Sequence, residues 1–103
     1  RNQQMKAFAQ SLQNVKAYIT PSNFYSAELH AMPPPRGSGW RDGGLCPFHP
    51  DRHAGSFRVN LETGAFTCFS CGTKGGDIIA FIQRRDGLNF PEAVQKLSNE
   101  WGI

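Results

Sequence analysis

Two cysteine-bearing turns constrain this chain more than any other feature. Cys46 and His49 in CPFHPDRHAG are separated by two residues, as are Cys68 and Cys71 in CFSCGTKGGD, and eighteen residues lie between the pairs. A two-residue gap lets both donors of a pair reach one ion from a tight turn, and thiolates with an imidazole suit tetrahedral zinc rather than magnesium or calcium. The pattern predicts one structural Zn2+ held by Cys46, His49, Cys68 and Cys71. His53, four residues beyond His49, is the alternative fourth ligand, and the matching gap favours His49. Pro47 stiffens the first turn, and Gly72 lets the second fold back so that N–H groups approach sulfur. A closed Cys3His shell has no open position for water or substrate, which argues against zinc catalysis.

A chain of 103 residues forms one small domain with a modest core, and a bound metal is the kind of staple it needs. Three cysteines cannot make a complete set of disulfides, and no secretory leader pattern precedes them, so reduced, intracellular thiols are expected. No apolar run approaches the roughly 20 residues of a membrane helix. The start at Arg1 rather than Met suggests a piece of something longer.

Met5, Phe8, Leu12, Val15 and Ile19 recur at steps of three and four, which predicts a helix over residues 3–19 that stops before Pro21. Its stripe either packs on its own domain or docks a partner. Residues 20–32 suit a short helix capped by Ser22 or Asn23, and PPPRGSGWRDGG beyond it suits an extended segment and a Gly-rich loop. SFRVNLETGAFTCF alternates with period two around Gly64 and predicts a hairpin, with Phe57 and Val59 on one face and Arg58 on the other. A helix opens at Asp77 and ends at Asp86-Gly87; another begins near Asn89-Phe90-Pro91 and buries Val94, Leu97 and Trp101. His30 has no such partners and reads as an ordinary solvated or core histidine.

No catalytic constellation stands out. The carboxylates are scattered, and GTKGGD lacks the glycines and the Lys-Ser/Thr of a phosphate loop. The chain reads as a binding module. Its net charge is +3, and residues 1–60 hold seven Lys/Arg against three Asp/Glu, a tilt toward an anionic partner. Arg36, Arg41, Arg52, Arg58 and Lys74 surround the knuckles, interleaved with Trp40, Phe48, Phe57, Phe66 and Phe69. Cations for phosphates beside aromatic faces for bases are the parts of a single-strand binding surface, although Phe57 and Phe66 are better placed as core.

Residues 46–97 resemble the CHC2-type zinc-binding domain of DnaG-type bacterial primases. The carriers are Cys-Pro-x-His, Ser-Phe-x-Val, Phe-x-Cys-Phe-x-Cys-Gly, Gly-Asp-x-Ile-x-Phe and Phe-x-Glu-Ala-Val. The resemblance implies an α+β fold, a zinc ribbon whose small antiparallel sheet is flanked by helices; the proline- and glycine-rich stretch sets the boundary, with residues 36–103 as the ribbon domain and residues 1–35 as an N-terminal helical arm. It implies zinc on Cys46, His49, Cys68 and Cys71, and single-stranded template DNA on a basic and aromatic surface during primer initiation. Arg36, Arg41, Arg52, Arg58, Phe69 and Lys74 are the candidate contacts. Primer synthesis in the family belongs to a separate Toprim-type polymerase domain, absent here, so this chain is expected not to be an enzyme by itself. Its partners would be that polymerase domain, a helicase or another replication protein in the bacterial cytoplasm. The arm has no recognised counterpart in the family, which favours a primase-like protein of a plasmid, phage or integrating element. The competing reading is a structural zinc module whose Met5-to-Ile19 stripe recruits a protein of a mobile-element replication or transfer complex.

Overall fold

A computed structural model describes the backbone of residues 2–103 and the side chains from Ala7 onward, so Met5 lies outside the described side chains. Helix α1 runs over Asn2–Tyr18 and α2 over Pro21–Glu28. Thr20 caps α2, rather than Ser22 or Asn23, by accepting the Asn23 N–H at 3.2 Å. Pro21 explains the shift: its preset φ and missing N–H suit the first helical position, so the cap falls one residue earlier.

Strands β1 (Trp40–Asp42), β2 (Phe57–Asn60), β3 (Phe66–Cys68) and β4 (Lys74–Gly75) form an antiparallel sheet in chain order. β2 and β3 are the expected hairpin, turned at Gly64 with φ +83°, a conformation that other residues adopt only under strain. β1 and β4 occupy stretches that read as loop. Each is an edge strand of two or three residues, too short to show a period-two pattern. Helices α3 (Ile78–Asp86) and α4 (Phe90–Trp101) follow. Asp77 accepts the Ala80 N–H at 2.8 Å to open α3, Gly87 closes it, and Asn89 with Glu92 forms a capping box on α4.

One hydrophobic core joins β2 and β3 to the four helices. Phe57, Val59 and Phe66 from the inner sheet face meet Ile79, Phe81 and Ile82 of α3, Val94 and Leu97 of α4, and Val15, Ile19, Phe24 and Tyr25 of residues 1–35. Phe8 and Leu12 pack against the same cluster, and Trp101 does so at half burial. The described part of the α1 stripe is therefore spent on this core rather than left open for a partner, and α1 lies along α4. Gly75 touches the core because the Phe66 ring would stand 2.5 Å from a Cβ there.

A polar clasp closes the helical side. Arg85 reaches Glu28 of α2 at 2.5 Å and Asp86 at 3.1 Å, and Lys96 of α4 reaches Asp86 at 2.8 Å. The hydrogen bond from Arg85, and then that from Lys96, holds the Asp86 carboxyl below its ordinary range. Its folded pKa is depressed, so its contribution to stability is present above the unfolded carboxylate pKa of about 4 and is lost as pH falls through the lower folded value. Asp86→Asn should therefore narrow the stability difference between pH 7 and pH 3. Urea melts of both proteins at both pH values check this, since acid release of zinc is common to the two; equal pH dependence would refute it.

Candidate zinc centre and open sheet face

The zinc knuckles hang from the sheet. Cys46 and His49 lie in the connection from β1 to β2, Cys68 ends β3, and Cys71 sits in the turn to β4. The four ligand atoms all lie within 4.8 Å of one another. Cys46 Sγ is 3.9 Å from Cys71 Sγ, and Cys68 Sγ is 3.9 Å from His49 Nδ1. Tetrahedral zinc with Zn–S near 2.3 Å needs ligand atoms about 3.8 Å apart, so both the distances and the donor set fit the ion. The Phe48 N–H points at Cys46 Sγ (3.4 Å) and the Cys71 N–H at Cys68 Sγ (3.5 Å), the backbone approach that the knuckle spacing predicts. Gly72, at φ +79°, permits the second turn, and its N–H donates to the Cys68 carbonyl at 2.8 Å.

His49, not His53, brings its imidazole into the cluster. His53 is exposed, and its backbone N–H meets Asp51 Oδ1 at 3.4 Å. His30 is exposed as well, away from the cluster. With Nδ1 facing the sulfurs, His49 turns Nε2 toward Asp51 Oδ1 at 3.9 Å, while Asp51 Oδ2 accepts the Cys46 N–H at 2.8 Å. Asp51 thus braces Cys46 through its backbone N–H and leaves its other carboxylate oxygen facing the His49 ring, beyond hydrogen-bond distance. The Cys46 N–H is the first cause of a carboxyl held below its usual range. Sequence reading missed Asp51, whose signal was an acid two residues after His49.

The thiols stand in unequal surroundings. Burial above all pushes the Cys46 thiol up to about 12. Cys71 is exposed, and Thr73 Oγ1 at 3.3 Å leads the contacts that hold it down to about 6. Zinc binds thiolates, so its uptake releases protons and affinity falls as pH drops.

The sheet's outer face is the second feature. Register sets Asp42, Arg58, Thr67 and Lys74 in one row across the four strands, opposite the buried row of Phe57, Val59, Phe66 and Cys68. Trp40 and Phe69 alternate onto this outer face and are 47% and 77% exposed. Trp40, Arg58, Thr67 and Phe69 line a hollow of about 250 Å³. Phe57, Phe66 and most of Phe48 instead belong to the interior aromatic cluster, with Phe48 stacked 5.6 Å from Phe66. The other cations lie elsewhere. Arg41 points to the opposite side of β1 from Trp40, where it lines a hollow with Met32, Pro33–Pro35 and Arg36, and its Nε donates to the Arg36 carbonyl at 2.8 Å. Arg52 is exposed in the loop after the first knuckle.

The CHC2 zinc finger family matches residues 36–103, a span that holds all four ligands and the whole sheet. The chain belongs to the CHC2 zinc finger family. Among proteins similar to this CHC2 domain, the DNA primase of Streptomyces coelicolor is 48% identical over 60 residues, 58% of this chain and 9% of that protein. The DNA primase of Deinococcus radiodurans is 42% identical over 69 residues, 67% of this chain and 12% of that protein. The chain thus spans about a tenth of the length of these curated relatives. A crystal structure of the Aquifex aeolicus primase zinc-binding and RNA polymerase domains superposes with TM-score 0.65 and 26% identity, covering 89% of this chain and 21% of that one. Residues 36–103 are only about two thirds of the chain, so the superposition reaches into residues 1–35. Part of residues 1–35, for which no counterpart was expected, therefore has a structural counterpart. Among the described residues no helix is long and apolar enough to cross a membrane.

Proposed function

We propose that this CHC2 domain recognises single-stranded DNA template during primer initiation, as a non-catalytic module of a primase or primase-like replication protein. The observation that carries the reading is the open sheet face: Arg58 and Lys74 in one cross-strand row, with Trp40 and Phe69 exposed beside them. Cations spaced along a backbone track and aromatic rings available for stacking suit single strands, whose bases have free π-faces, better than duplex. Arg36, Arg41 and Arg52 lie off this face, so of the candidate contacts Arg58, Phe69 and Lys74 carry the reading. The closed Cys3His shell holds the face in shape and offers no site for chemistry. Polymerisation would belong to another domain, as the Aquifex aeolicus structure pairs zinc-binding with RNA polymerase domains, and that domain with other cytoplasmic replication proteins would be the partner.

Arg58→Ala and Lys74→Ala test the reading by fluorescence anisotropy with short single-stranded and duplex DNA at several salt concentrations. The zinc-loaded chain should prefer single strands. Each substitution should weaken binding and make the log–log salt slope shallower by about 0.7, the effect of one lost phosphate contact on single-stranded DNA. Unchanged affinity in both variants would sink the reading.

A further inference from the structure

A second hollow adjoins the first across the sheet. It measures about 630 Å³ and is lined by Trp40, Thr67, Lys74, Gly75 and, from helix α3, Arg84. Trp40 and Thr67 line both hollows, so they form a ridge between one compartment carrying Arg58 and Phe69 and another carrying Lys74 and Arg84. Among the described residues, Arg58, Lys74 and Arg84 enter no ion pair. The one acid of the cross-strand row, Asp42, sits at its β1 end and accepts the Gly44 N–H at 2.9 Å. Three unpaired cations and two exposed rings along one path match an anionic polymer with a base on every repeat, rather than a compact anion.

We infer that a dinucleotide step of single-stranded DNA straddles Trp40, with one base in the Phe69–Arg58 hollow and the next nucleotide in the Lys74–Arg84 hollow. This rests on the reading of the sheet face as the DNA surface and adds to it a path, a ridge residue and a contact from outside the sheet. The strand crosses β2, β3 and β4 toward α3 instead of following one strand. Trp40 stacks on the base beside it, and Arg84, the only member contributed by a helix, takes the phosphate that leaves the sheet edge.

The experiment uses the zinc-loaded full chain, with zinc content and circular dichroism checked for each variant, and anisotropy of a fluorescein-labelled dodecamer. A second oligonucleotide carries abasic sites throughout its central six positions. Trp40→Ala should weaken binding to the intact dodecamer roughly 5- to 150-fold, the loss of one stacked base, while Trp40→Phe keeps most of the affinity. On abasic DNA Trp40→Ala should cost almost nothing further, a non-additivity that a merely unfolded variant would not show. Arg84→Ala should make the salt slope shallower by about 0.7. If Arg58→Ala weakens binding but Trp40→Ala and Arg84→Ala bind as the unsubstituted chain does, the path is wrong and the DNA-binding face stands. Equal losses for Trp40→Ala on intact and abasic DNA would also overturn the ridge. If the unsubstituted chain binds no single strand, the sheet-face reading and this path fall together.

Discussion

Cys68→Ser is expected to unfold this domain, and a strong chelator is expected to do the same to the unsubstituted chain. Cys68 ends β3, is 1% exposed, and pairs across the hairpin with Phe57, so its sulfur joins the metal to the hydrophobic core. The connection between β1 and β2, residues 43–56, has no regular secondary structure, and Cys46 and His49 tie it down. Structural zinc sites of this kind supply apparent binding free energies of about 10–16 kcal/mol. A domain of this size has a total stability of about 5–15 kcal/mol. Removing the ion therefore removes as much as the whole margin, and helix packing through α1 and α4 does not replace it. Far-UV circular dichroism before and after chelation decides the matter, with restoration on adding zinc as the control. Near-native ellipticity in the metal-free protein would show that the hydrophobic core suffices.

Phe24→Ala should be the most damaging substitution outside the zinc site. Phe24 is fully buried in α2, and its ring lies 5.1 Å from Tyr25, 5.6 Å from Phe81 of α3 and 6.4 Å from Trp101 of α4. Phe81 is in turn within 5.5 Å of the Phe48 and Phe66 rings. Truncating a buried Phe costs about 3–5 kcal/mol through lost transfer energy and the cavity left behind. Each kcal/mol should lower Tm by about 4–8 °C in a domain of 60–100 residues. Residues 1–35 and 36–103 share this cluster, so the loss should appear in the ribbon as well as in the arm. A second tie supports that expectation: the Tyr25 hydroxyl donates to the Gly64 carbonyl at 2.6 Å, joining α2 to the hairpin turn, and burial, with a further push from Asp77, drives its pKa far above the usual phenol range. Melts followed by helix ellipticity and by zinc release should shift together to lower temperature. A zinc-release transition that stays in place while the helical signal moves would show that the two parts fold separately.

The Cys3His cluster was legible because its spacing is a local property: a two-residue gap sets a knuckle wherever it occurs, and His49 repeats the cysteine spacing while His53 does not. The hairpin, the Asp77 and Asn89 caps and the stop at Gly87 were legible for the same reason, each depending on a few adjacent residues. The cap of α2 was misplaced by the same local reasoning, because Pro21 outweighed two good capping residues behind it. β1 and β4 were not legible. Strands of three and two residues exist through hydrogen bonds to β2 and β3, and no pattern within them announces that.

What the sequence by itself determined is the zinc chemistry and the order of helices and strands, since both follow from residue type and short-range period. Which side of the sheet stayed open, and what closed the other, was decided only in three dimensions. Arg41 and Arg58 are equally basic in sequence, yet register and alternation turn Arg58 to the open face and Arg41 toward the proline-rich strap. The stripe of α1 favoured packing on its own domain over docking a partner, and Val15 and Ile19 are buried in the common core with Phe8 and Leu12 partly buried against it. Arg84 shares a hollow with Trp40, Thr67 and Lys74 only because the chain returns α3 to the side of the sheet. Contacts between residues far apart in the chain arise from packing, and packing is a property of the whole fold rather than of any segment.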